Sequence, residues 1–209
     1  TIAAFPGISA QLIPRAIAPL LKKIGREPTF TLHTRSSSGL EAAMLSRTAD
    51  FAVSMLPTEH SALSCEPFVP INLVCAIPRD HPLTDLSMVP LENLSSVPLI
   101  SLGRDDLSFF VIQAAFARKG LIFRSVAEVQ MSESACAIVS AGNGIALVTT
   151  LSTLSPSDPN FVFRPLAEPI EMMTWLIRGR LNQQSALANS FREAIKRDLL
   201  LVRKFAVPR

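Results

Sequence analysis

At 209 residues the chain suffices for one domain or two small ones, and 48% hydrophobic with 18% charged residues, at a mean hydropathy of +0.34, marks a core-forming protein and excludes a disordered one. No apolar run reaches the roughly 18 residues of a membrane span before Arg, Lys, Asp, Glu or Pro interrupts it, and Thr1-Ile2-Ala3-Ala4-Phe5-Pro6 lacks the basic and apolar regions of a signal peptide, so we expect no membrane association and a chain cut from something longer. The net charge of +3 is mildly basic, yet only Lys196, Arg197, Arg203, Lys204 and Arg209 crowd together, without interleaved aromatics for base stacking, so this stretch reads as a solvated face and not a nucleic-acid patch.

In chain order, residues 2–5 read as a short strand. Residues 11–24 carry Leu12, Ile13, Ala16, Ile17, Leu20, Leu21 and Ile24 at the spacing of one helical face. Pro14 suits the first turn, whereas Pro19 removes an interior hydrogen bond and predicts a kinked or shortened helix. A strand at 30–33, a helix at 39–46 and a strand at 51–55 follow, a βαβαβ order that implies a parallel sheet with right-handed crossovers. Residues 67–78 are extended, and Leu73-Val74-Cys75-Ala76-Ile77 is apolar throughout, as in a strand buried on both faces. Pro78-Arg79-Asp80-His81-Pro82-Leu83 then makes a rigid turn.

The second half continues with a strand at 99–102 and a helix at 106–119 with Leu107, Phe110, Val111, Ala114 and Ala115 inward and Gly120 as its stop. Residues 125–130 lead into a helix opened by Ser132 and Ser134, either of which can be the N-cap, with Ala135, Ile138 and Val139 on one face. Gly142 and Gly144 close it, Gly142 in the left-handed conformation, and 145–148 is the next strand. Two more strands, 161–166 and 172–177, precede an amphipathic helix at 185–202 that turns Leu187, Phe191, Ala194, Ile195, Leu199 and Val202 inward. The pattern predicts an α/β protein of two lobes, residues 1–73 with 170–209 and residues 74–169, joined by strands crossing near 71–76 and 167–174. Ligands of such sheets sit at the carboxyl ends of the strands, here in a cleft between the lobes.

Two places along the chain offer anion chemistry. The first turn of a helix leaves backbone N–H groups unpaired at the positive end of the macrodipole, where carboxylates and phosphates settle. Ser36-Ser37-Ser38-Gly39 stands between a strand and a helix, and Ser132 with Ser134 opens another. Each is equally readable as a plain helix cap. None of the sequence signatures of hydrolases, phosphate loops, dinucleotide binding or zinc proteases is present, so catalysis is not expected. His33, His60 and His81 lie far apart without metal-ligand spacing, and no metal or cofactor is expected. Cys65, Cys75 and Cys136 read as buried, reduced thiols of a cytoplasmic protein.

Five segments, Ile2-Ala3-Ala4-Phe5-Pro6, Leu12-Ile13-Pro14-Arg15, Thr48-Ala49-Asp50-Phe51-Ala52-Val53, Ile77-Pro78-Arg79-Asp80-His81-Pro82-Leu83 and Val139-Ser140-Ala141-Gly142-Asn143-Gly144-Ile145-Ala146-Leu147-Val148, run in this order over essentially the whole chain. Together they resemble the effector-binding domain of LysR-type transcriptional regulators. That resemblance implies a type 2 periplasmic-binding-protein-like fold of two Rossmann-like lobes. It also implies a small-molecule carboxylate effector, and assembly into a homodimer or tetramer through the first lobe's helix and the second lobe's edge. DNA would be reached only through a winged helix-turn-helix absent from this chain.

The effector cleft it implies is lined by Phe5, Pro6, Gly7 and Ile8, by Arg35, Ser36, Ser37 and Ser38, by Ser101, Leu102, Gly103 and Arg104, and by Ser132, Glu133 and Ser134. Arg35 and Arg104 could hold a carboxylate bidentately or be surface arginines. Glu133 could take the ammonium or guanidinium of an amino-acid-like effector or merely complement the helix dipole, and Phe5 could cover the ligand or pack in the core. The serine turns look like those of amino-acid- or opine-responsive members, with aromatic carboxylates open. A transporter's solute-binding protein shares the fold and is the alternative.

Overall fold

Every strand the alternation pattern anticipates forms in the computed structural model, which describes residues 1–24, 29–104, 106–154, 157–181 and 185–203. Lys204 and Arg209 of the basic cluster lie outside the described residues. The first elements are β1 Ile2–Ala4, a π-helical turn Ile8–Leu12 running into α1 Ile13–Ile24, β2 Leu32–Thr34, α2 Ser37–Leu45, β3 Phe51–Ser54 and β4 Leu63–Pro78. Then come a 3-10 turn Pro82–Asp85, α3 Leu91–Leu94, β5 Leu99–Leu102, α4 Leu107–Arg118, β6 Ser125–Val129, α5 Ser132–Ser140 and β7 Ile145–Thr149. A 3-10 turn Thr150–Leu154, β8 Phe161–Pro165, β9 Glu171–Gly179 and α6 Ala186–Arg203 complete the order. The chain divides into two units, one of Thr1–Pro70 with Met173–Leu201 and one that includes Ile71–Met172, so β4 and β9 each run from one unit into the other.

In the first unit β1 lies between β2 and β3, both parallel to it, and β9 joins β3 antiparallel. β1 and β3 are buried at every position, which is why Ile2-Ala3-Ala4 and Phe51-Ala52-Val53 carry no alternation. Helical structure starts before the expected residue 11, and α1 runs unbroken through Pro19. Pro19 sits on the exposed face, where water takes the carbonyl that the missing N–H releases. Leu21, expected inward, is 38% exposed, because Leu12, Ile13, Ala16 and Ile17 already fill the buried stripe.

Thr174 of β9 is fully buried and does a backbone's work in this unit: its hydroxyl donates to the Val69 carbonyl, and its oxygen accepts from the Val69 amide at 3.1 Å. Thr174→Val keeps the shape and strands both groups, so it is expected to cost about 2 kcal/mol and to lower Tm by about 4–8 °C in a thermal melt.

In the second unit the order is β4-β7-β5-β6, with β8 on the other side of β4. β7, β5 and β6 are mutually parallel, and β4 pairs antiparallel with both β7 and β8. Residues 71–77 of β4 are all buried, as the apolar run required. α5 lays Ala135 and Val139 on a face built by Val74, Ala76, Ala146 and Val148, with Ile138 packed at its margin. The expected N-cap serine is not found: Met131 is the N-cap and offers no side-chain hydrogen bond, so Ser132 is the first helical residue and Ser134 lies inside the first turn. Gly142 and Gly144 do close the helix, at φ of +82° and +74°.

The inward face of α4 also differs from the expectation. Ser108, Phe109, Ile112, Ala115 and Phe116 are buried, while Phe110 is 53% exposed. Asp106 sets this phase by accepting from the Ser108 amide at 2.8 Å and its hydroxyl at 2.6 Å, and Phe123 then receives the Phe109 and Phe116 rings at centroid distances of 5.7 and 5.3 Å. In α6 Ala188 takes the buried position expected of Leu187, and Phe191, Ala194, Ile195, Leu199 and Val202 are buried as anticipated.

The turn after β4 is tied down by several side chains, Arg164 foremost. Arg164 on β8 donates to the carbonyls of Thr84 at 2.9 Å, Leu86 at 3.1 Å and Phe163 at 3.2 Å, while His81 Nδ1 accepts from the Leu83 amide at 3.2 Å.

Candidate functional site

The carboxyl ends of β1 and β2 meet in the first unit. The Arg35 amide donates to the Ala4 carbonyl at 3.0 Å and the Phe5 amide to the Val53 carbonyl at 3.2 Å, which fixes Phe5 and Arg35 at one sheet edge. Phe5, Pro6 and Gly7 are half-buried there, whereas the Ile8 side chain is fully enclosed in the core and leaves only its backbone near the edge. Ser36 is the N-cap of α2, its Oγ accepting from the Gly39 amide at 3.4 Å and lying 3.3 Å from the Ser38 hydroxyl. The amides of Ser37 and Ser38, in the first helical turn, have no intrahelical acceptor. Ser36, Ser38 and Arg35 are exposed, and the Arg35 guanidinium donates to the Thr34 carbonyl at 3.0 Å.

Ser9 and Thr34, which the sequence reading passed over, complete this edge. Ser9 is 3% exposed, and its hydroxyl lies 2.7 Å from Thr34 Oγ1 and 3.2 Å from the Pro6 carbonyl, joining the turn after β1 to the end of β2. A lone serine between Ile8 and Leu12 was the available signal.

The second unit carries the other predicted residues at the end of β5 and in the first turn of α5, which follows the neighbouring strand β6. Ser101 and Leu102 are 1% and 4% exposed, Gly103 is buried and Arg104 is exposed. The Ser101 hydroxyl has no hydrogen-bond partner among the described residues. Arg104 is committed locally: its guanidinium lies 5.4 Å from the Phe109 ring centroid and its amide donates to Glu128 Oε1 at 3.2 Å. Ser132 and Glu133 are half-buried and Ser134 exposed in the first turn of α5, whose amides receive no side-chain cap. The two helix openings thus differ: in α2 a serine already occupies one amide, and in α5 none does.

Cys136 lies half-buried on the same helix, and burial, seconded by the charges of Glu133 and Asp158, pushes its thiol up to about 12. Burial raises Cys75 as well, so both are protonated at neutral pH and poor nucleophiles. Among the described residues no three His, Cys, Asp or Glu side chains are grouped to hold a metal ion, and no helix is long and apolar enough to cross a membrane.

Comparison with known proteins gives a consistent result. The family model described as the LysR substrate binding domain matches residues 1–200. The transcriptional activator protein LysR of Escherichia coli K12 is 26% identical over 195 residues, which cover 91% of this chain and 61% of that protein. An uncharacterised HTH-type transcriptional regulator, YfeR of Shigella flexneri, is 26% identical over 93% of this chain and 63% of its own length. The chain therefore spans about three-fifths of these curated relatives. The cofactor-binding domain of the Cbl transcriptional regulator superposes with a TM-score of 0.81 at 23% identity over 99% of this chain and 92% of that one. The BenM effector binding domain with its effector benzoate gives 0.79 at 21% identity, over 99% and 94%. These structures have the type 2 periplasmic-binding-protein-like fold that the sequence led us to expect.

Proposed function

The chain belongs to the LysR substrate binding domain family, and from that footing we propose that it is the effector-sensing part of a bacterial LysR-type transcriptional regulator. Its two lobes, residues 1–73 with 170–209 and residues 74–169, take up a small carboxylated metabolite, amino-acid- or opine-like, between them. The observation that carries this reading is the pair of serine-bearing helix openings at strand ends, one in each unit, Ser36–Ser38 on α2 and Ser132–Ser134 on α5. Unpaired first-turn amides beside hydroxyls are the chemistry of carboxylate binding. The benzoate of the BenM domain is itself a carboxylate, which supports the class.

Phe5 to Gly7 supply the wall beside the first opening, with Ile8 behind it in the core. Ser101 and the backbone of Leu102 and Gly103 adjoin the second, while Arg35 and Arg104 lend positive potential from the rim. A carboxylate that engages both openings gains most in the conformation presenting them together, and so shifts the population toward it. In the whole protein this signal alters how a homodimer or tetramer engages DNA through a winged helix-turn-helix outside this chain, in the cytoplasm and without catalysis. The relatives named above are regulators, which favours this role over that of a transporter's solute-binding protein.

A thermal-shift screen of metabolite carboxylates tests the reading. An effector at 100 times its Kd raises stability by about 2.7 kcal/mol, an upward shift of about 5–11 °C. Ser36→Ala and Ser132→Ala are each expected to weaken such a hit about tenfold. Of the two, only Ser36→Ala should also lower the ligand-free Tm, by about 2–4 °C, since only Ser36 caps its helix. Unchanged affinity in both variants removes the proposed chemistry.

A further inference from the structure

Besides Ser101, two polar side chains of the second unit are buried with an atom left over. Asn72 is 3% exposed and its Oδ1 accepts no hydrogen bond, and Thr150 is fully buried with no partner for Oγ1, among the described residues. Strand register brings them together. Leu73 of β4 pairs antiparallel with Thr149, the last residue of β7, so Asn72, one residue earlier, and Thr150, the first residue of the following 3-10 turn, both adjoin the end of that ladder. Alternation along β4 puts Asn72 on the face of Val74 and Ala76, the face that α5 covers, and Thr150 leaves the sheet two residues after Val148 of the same face.

The position along that face follows from topology. α5 connects β6 to β7, which are parallel to one another through β5, so the helix runs back against the strands. Its first turn therefore lies at the edge where β7 ends. Ala135 in that turn and Val148, two residues before Thr150, belong to one packed cluster. Asn72 and Thr150 thus stand at the same sheet edge as the uncapped amides of Ser132 to Ser134.

Leaving a buried carboxamide oxygen and a buried hydroxyl unpaired costs stability, and native proteins seldom retain such groups without a protein, water or ligand partner. Asn72 Oδ1 only accepts, the Thr150 hydroxyl can give or accept, and neither residue is charged, so a group that completes both must donate to Asn72 and is not a second carboxylate. We propose that Asn72 and Thr150 are specificity-determining residues of the effector site, which select a carboxylate carrying a hydroxyl or amino group over its unsubstituted parent. The inference rests on the carboxylate reading of the α5 opening and adds to it which carboxylates are preferred.

Two measurements on the 209-residue chain test this. First, Thr150→Val and Asn72→Leu are each expected to raise the ligand-free Tm by about 2–4 °C, because each removes a buried polar atom that bonds nothing; a fall in Tm shows a structural hydrogen bond and overturns the proposal. Second, calorimetric titration of propionate, L-lactate and L-alanine, and of succinate, L-malate and L-aspartate, compares hydrogen, hydroxyl and amine on the same skeleton. In at least one set a substituted acid is expected to bind at least tenfold more tightly than its parent, with the advantage lost in Thr150→Val and Asn72→Leu. The hydroxyl and amine members separate the two donors. Equal binding of parent and substituted acids that both variants of Ser36 and Ser132 weaken overturns this inference alone, and silence from all six acids overturns the ligand class named here while the wider screen still judges the serine reading.

Discussion

Gly144→Ala is expected to lower Tm by about 10 °C, whereas Gly142→Ala, two residues away, is expected to lower it by about 2–8 °C, less than Gly144→Ala in the same melt. Both glycines hold left-handed backbone, at φ of +74° and +82°, which a residue with a Cβ adopts at a cost of about 1–2 kcal/mol. They differ in what surrounds them. A Cβ on Gly142 meets nothing within 4 Å, but one on Gly144 would stand 2.7 Å from the Pro98 carbonyl oxygen. That oxygen belongs to backbone and accepts from the Ile145 amide at 2.9 Å, the bond that starts β7 beside β5. Relief of the overlap means moving one strand start or the other, a further cost of about 1–3 kcal/mol. Equal Tm losses in parallel melts of the two variants would show that the contact with Pro98 carries no weight.

The corrected face of α4 yields the second large effect. Phe116→Ala is expected to cost about 3–5 kcal/mol, since the ring is fully buried and lies 5.3 Å from the Phe123 centroid. Phe110→Ala, at a position 53% exposed, is expected to cost about 1 kcal/mol or less, the worth of its edge contact with Phe109. Denaturant titration distinguishes the two assignments directly: the sequence pattern taken alone predicts the larger loss at Phe110, and the structure predicts it at Phe116.

Those two helices and turns show what a linear reading can and cannot carry. The strands were legible because β1, β3, β5, β7 and residues 71–77 of β4 are buried on both faces, and runs such as Ile2-Ala3-Ala4 and Leu73-Val74-Cys75-Ala76-Ile77 have no other stable use. The phase of α4 was not, because Leu107-Ser108-Phe109-Phe110-Val111-Ile112 is apolar on nearly every side and only the Asp106 cap and the location of Phe123 choose among the faces. Ser36 was readable as a cap from local chemistry alone. Ser132 looked equivalent and is not, since the extended conformation of Met131 moves the helix start one residue upstream of it. Ser9 with Thr34, and Asn72 with Thr150, were beyond reach for a further reason: what matters in each is a neighbour 25 or more residues away, brought near by the pairing of strands.

Arg164 separates ancestry from selectivity. Its guanidinium fastens the stretch around Pro82 to Leu86, where the Pro-Arg-Asp-His-Pro-Leu signature sits, through backbone carbonyls only. Backbone carbonyls are the same whatever side chains accompany them, so this clasp holds the turn without constraining the chemistry sensed elsewhere. Under the proposed function, exchange of the β5 and α5 edge residues between homologues, with the Arg164 clasp untouched, is expected to change ligand preference on an unchanged scaffold.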